Sequence, residues 1–100
     1  MRIALTRAVG IPLALARQGG TLIFNGEPLD LSAIADGAVV EPGGTDCPWI
    51  VGPIEGTPAG PRLTVIAPYA GGDLPEALWG PAEIVDPPDG PIPLPAYEVP

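Results

Sequence analysis

Histidine and lysine are both missing from this 100-residue chain, and cysteine occurs once, at Cys47. Without histidine there is no Ser-His-Asp or Cys-His pair, no imidazole general base and no ordinary zinc site. Without lysine there is no Schiff-base amine and no phosphate-cradling loop of the G-x-x-x-x-G-K kind. A single cysteine closes no intrachain disulfide, which fits folding in a reducing compartment. Cys47 stands before Pro48 and Trp49 with no histidine to activate it. It reads as a packed structural thiol and not as a nucleophile.

Basic charge is the next scarcity. Arg2, Arg7, Arg17 and Arg62 are the only basic side chains against 12 Asp and Glu, giving a net charge of −8. Contacts to nucleic-acid phosphates need a basic patch, and so does attraction to an anionic membrane; neither partner is expected. Long apolar runs are also lacking. Nothing approaches the ~18 residues of a membrane span, and no apolar core of a signal peptide follows Arg2 and Arg7. The acids are scattered through the chain, many of them in turns. A carboxylate-pair hydrolase or a calcium site would draw on them, but no motif marks either one. An acidic inhibitor or nucleic-acid mimic is the alternative class, and it would need them gathered on one dense face. The sequence therefore nominates no catalytic residue, no cofactor-binding residue and no metal ligand, and the protein is expected not to be an enzyme.

What is abundant is punctuation. There are 14 glycines and 16 prolines, yet 46% of residues are hydrophobic. Glycine and proline at this level often signal disorder. Here the apolar residues fall in short runs between the turn formers, which is the pattern of an all-β fold. The expected architecture is a small antiparallel β-sandwich or barrel-like domain over residues 1–85, followed by an extended Pro-rich tail over 86–100.

Along the chain, Ile3 and Leu5 alternate with Arg2, Ala4 and Thr6, which predicts a half-buried strand over 2–8. After a turn at 9–12, Leu13 and Leu15 alternate with alanines. That run suits a strand better than a helix, because Gly19-Gly20 ends it early. Thr21 to Leu31 carries the sharpest signal. Asn25-Gly26 between two apolar runs calls for a type I′ hairpin, since both residues tolerate positive φ. A two-residue loop pairs Phe24 with Glu27, Ile23 with Pro28 and Leu22 with Leu29. Leu22, Phe24, Leu29 and Leu31 then share the core face. Pro28 falls at a non-hydrogen-bonded pair, so 27–31 should be an edge strand.

Further on, 32–37 reads as one helical or 3-10 turn, with Ser32 as cap and Gly37 as stop. Residues 38–40 suit a short strand, and Pro42-Gly43-Gly44 a loop. Strands are expected at 49–51 and 62–67, joined by an exposed loop over 52–61. Apolar residues on both faces of 62–67 place it centrally in a sheet. Pro68 to Gly80 is irregular, with a helical turn at 75–79 started by Pro75. Residues 82–85 suit another short strand. From Asp86 onward, proline dominates and the backbone should be extended.

Several of these stretches, taken in order, resemble a family of small proteins encoded in the tail gene clusters of long-tailed and Mu-like bacteriophages and prophages. They are Thr21 to Ser32, Asp36-Gly37-Ala38, Cys47-Pro48-Trp49-Ile50, Gly60 with Arg62 to Tyr69, and Asp89 to Tyr97. The shared features are an Asn-Gly hairpin, a Cys-x-Trp element, a Leu-Thr-apolar strand ending in proline, and a Gly-Pro tail. Each is weak alone; their order and spacing over residues 20–97 are more specific. The chain departs from the pattern at Tyr69-Ala70, where His-Gly is usual, and in its Gly- and Pro-rich loop before Arg62. No functional residue carries over. The resemblance implies a virion component of the tail tip, baseplate or fibre connection. It would be made in the host cytoplasm, would contact other tail proteins, and would be present in several copies in a symmetric assembly.

The five aromatics supply the contact candidates. Phe24 and Trp49 are expected in the core. Tyr69, Trp79 and Tyr97 lie in loop or tail segments, where aromatics often anchor interfaces; the same residues would equally serve to pack the ends of the β-core. The tail, with Pro91 and Pro93, either covers a sheet edge of its own domain or reaches a neighbouring subunit. Tyr69, Trp79, Pro91, Pro93 and Tyr97 are therefore the candidate partner-binding residues.

Overall fold

The computed structural model describes residues 1–41, 47–80 and 83–98. Pro42-Gly43-Gly44, Ala82 and the last two residues of the tail lie outside the described residues. Among the described residues, nine strands form two sheets. In chain order they are β1 (Arg2–Val9), β2 (Leu15–Gln18), β3 (Thr21–Phe24), β4 (Glu27–Asp30), β5 (Val39–Val40), β6 (Ile54–Thr57), β7 (Gly60–Tyr69), β8 (Glu83–Val85) and β9 (Gly90–Ile92). The five-stranded sheet runs β5-β6-β7-β1-β8 and the four-stranded sheet β4-β3-β2-β9. The fold is all-β, with mostly antiparallel pairing and one core shared by the two sheets.

The hairpin forms with the register its turn dictates: Phe24 opposite Glu27, Ile23 opposite Pro28, Leu22 opposite Leu29. Asn25 and Gly26 take φ of 50° and 85°. Asn25 does more than turn the chain. Its Oδ1 accepts from Ala14 N at 2.6 Å, and its Nδ2 donates to Pro12 O at 3.1 Å. The hairpin tip thus holds the link from β1 to β2. Leu22, Phe24 and Leu31 are buried and Leu29 packs against them. As expected, β4 is an edge strand.

The centre of the larger sheet is a parallel pair. Strands β1 and β7 match from Arg2 with Arg62 through to Val9 with Tyr69. The second sheet's first three strands lie between them in sequence, because parallel neighbours need a long crossover. Ile3, Leu63 and Val65 point inward to meet Leu15, Leu22, Phe24 and Ile92 of the smaller sheet. Trp49 and Cys47 are half-buried against this core.

Three local expectations need correction. Residues 49–51 make a single bridge, Ile50 to Val65, and not a strand. Trp49 O accepts from Ile66 N at 2.8 Å and Val51 N donates to Thr64 O at 3.1 Å, but Pro48 and Gly52-Pro53 cut the segment short. Residues 52–61 are not a loop. They contain β6, whose Ile54 is buried. Gly56 looks like a loop residue, yet it sits against the backbone of Ala35 where a Cβ would overlap. Lastly, 32–37 makes two successive turns and not one helical turn. Ile34 N donates to Leu31 O and Ala38 N to Ala35 O. Ser32 does not cap; its N and Oγ both donate to Asp30 Oδ1, at 2.9 and 2.6 Å. The turn started by Pro75 is a 3-10 turn over Glu76–Leu78.

Candidate functional site

Parallel β1 and β7 end side by side, and the C-terminal segment crosses their ends. Ala70 N donates to Tyr97 O at 2.7 Å, and the Tyr97 hydroxyl donates to Gly10 O at 2.8 Å. Arg7 lies beneath. It shares the inward parity of Ile3 and Leu5, opposite Ala67. Its guanidinium sits 5.5 Å from the Tyr69 ring centroid, in reach of the ring's negative face. Arg7 Nη2 donates to Ala96 O, while Nε and Nη1 are enclosed with no hydrogen-bond partner. The strap therefore seals one end of the core over a cation, using aromatic and carbonyl groups.

Tyr69 and Tyr97 are half-buried in this seal. Trp79 behaves differently. It follows the 3-10 turn, donates through Nε1 to Leu74 O at 3.3 Å, and remains 55% exposed. Its neighbour Gly80, with φ of 74°, packs on Pro95 so closely that a side chain there would overlap the proline ring. Trp79 thus stands beside the strap. Val9 and Ile11, 65% and 66% exposed, flank the Gly10 carbonyl held by Tyr97. Tyr69, Trp79 and Tyr97 come together at this end. Pro91 does not join them: it is exposed on β9 opposite Ala16, beside a shallow groove of Arg17, Gln18, Ile23 and Asp89. Pro93, also exposed, lies between the two places.

Arg7, Val9 and Ile11 are members of this site that the sequence did not flag. For Arg7 a signal was present, a charge on the apolar parity of β1. For Val9 and Ile11 there was none beyond their position at the end of a strand.

A second set of polar contacts ties the chain start to the start of the C-terminal segment. The Met1 amine is 2.6 Å from Asp86 Oδ1 and 3.1 Å from Ala59 O. Asp86 N donates back to Met1 O at 2.7 Å. The amine's hydrogen bond and charge hold the Asp86 carboxyl below its usual range. The two donors on Ser32 do the same for Asp30. Among the described residues, no three Asp, Glu or Cys side chains gather closely enough to hold a metal ion.

What this end of the molecule offers is exposed apolar surface: Trp79, Val9 and Ile11 stand beside the strap. No family model, curated protein or solved structure matches the chain.

Proposed function

We propose that the protein is a non-catalytic structural or adaptor component of a bacteriophage tail, acting at the tail tip, the baseplate or a fibre connection. It works through contacts with other tail proteins and is present in several copies in a symmetric assembly. It is made in the host cytoplasm and carried in the virion.

The observation that carries the binding half of this reading is Trp79, 55% exposed beside a strap that Tyr97 and Arg7 hold in place. An indole left in water on a fixed base suits an interface anchor. The phage half rests on the ordered resemblance of residues 20–97 to small tail-cluster proteins. Mass spectrometry of purified virions from the host element tests it. The chain should be found in complete particles at a reproducible copy number. Its absence from infective particles would overturn the proposal.

A further inference from the structure

One residue from each strand of the larger sheet falls in a line across its outer face: Val39, Glu55, Arg62, Arg2 and Val85. All five are exposed. Val39 and Val85, at the two ends, are 55% and 54% exposed. Next to this row lies a shallow hollow floored by Ala4 and Thr64 and edged by Pro53.

Charge sets this face apart. Arg2, Arg62 and the Met1 amine stand here beside Glu55, Glu83 and Asp86, so the face is balanced on a chain of net charge −8. Among the described residues, the other eight acids have only Arg7 and Arg17 against them. Within the face, Arg2 pairs with Glu83 at 3.3 Å and the amine with Asp86 at 2.6 Å. Arg62 and Glu55 are cross-strand neighbours, yet among the described residues neither forms an ion pair. An unpaired cation and an unpaired anion, side by side on a flat exposed sheet, are complementary to their own image.

We propose that this face binds a second copy of the chain about a twofold axis that lies in the interface and runs along the strands, between β6 and β7. That axis sets Arg62 of each copy over Glu55 of the other, and Val39 over the aliphatic stem of Arg2. An axis across the strands would stack Glu55 on Glu55 and Arg62 on Arg62. Facing sheets pack about 10 Å apart, a gap that a Glu and an Arg side chain span together. The acidic remainder of each copy opposes other orientations. Ion pairs between exposed side chains contribute little each, so the dimer is weak and reversible. It holds whether or not the chain resides in a tail.

Sedimentation velocity, in a concentration series reaching millimolar at one moderate ionic strength, tests it on three proteins: wild type, Arg62→Glu, and Arg62→Glu combined with Glu55→Arg. Both positions are exposed, and circular dichroism confirms that each variant is folded. Wild type should shift from monomer to dimer with concentration. Arg62→Glu should lose the dimer over the same range, and the double variant should regain it. A wild type that stays monomeric throughout would overturn the proposal and leave the face to another partner. So would a dimer indifferent to Arg62→Glu, or one that the second substitution fails to restore.

Discussion

Asn25 shows how much one side chain does here. Asparagine accepts a left-handed backbone at modest cost, and its amide then ties Pro12 and Ala14 to the hairpin tip. Asn25→Ala removes two hydrogen bonds and strains the turn, so it should cost about 1–3 kcal/mol, read as a lower urea midpoint. Asp86 gives a pH signature. Its carboxyl is held below its usual range by the Met1 amine, chiefly through their hydrogen bond. A carboxyl with a lowered folded-state pKa contributes stability above its ordinary pKa and loses it as pH falls through the folded-state value. Asp86→Asn should therefore lower the Tm at pH 7 and shrink the Tm difference from wild type in acid. A difference independent of pH would contradict the assignment.

At the scale of elements, the prolines explain how the smaller sheet avoids joining others. Both edges of the smaller sheet carry one, Pro28 on β4 and Pro91 on β9. Each falls at a non-hydrogen-bonded pair, so the N–H it lacks would have pointed outward. Neither edge offers a full ladder to another strand. The C-terminal segment is held at both ends, by β9 on β2 and by Tyr97 over Gly10 and Ala70. Ile92 is buried in the shared core. Ile92→Ala should therefore destabilise the whole domain by about 2–4 kcal/mol; a change under ~0.5 kcal/mol would mean that the segment adds nothing to the fold.

These elements also show what was legible in the sequence. The Asn-Gly hairpin, its register and its edge position rest on local chemistry, and the sequence states them in full. The strand β6 was hidden because Gly56 and the flanking prolines read as loop, while the reason for the glycine is a backbone packed against it from residue 35. The parallel pairing of β1 with β7 was hidden because nothing within either strand names a partner so distant in sequence. The seal around Arg7 was half visible. Its parity was anomalous, but the tyrosine and the carbonyl that receive it come from residues 69 and 96.

The whole molecule has extents of 41 × 26 × 23 Å, with the shared core between the sheets and distinctive surface in two places. One is the strapped end with Trp79, Val9 and Ile11. The other is the balanced outer face of the larger sheet. Among the described residues, the Trp79 side chain makes one hydrogen bond to its own chain, from Nε1 to Leu74 O, so Trp79→Ala should alter stability by no more than ~0.5 kcal/mol while removing the exposed indole. We propose that the protein acts through this exterior. Counting copies per purified virion by quantitative mass spectrometry, for wild type and Trp79→Ala, tests that claim most directly. The account predicts several wild-type copies per particle and few or none of the folded variant. Equal incorporation of both, or no wild-type chain in infective particles, would contradict it.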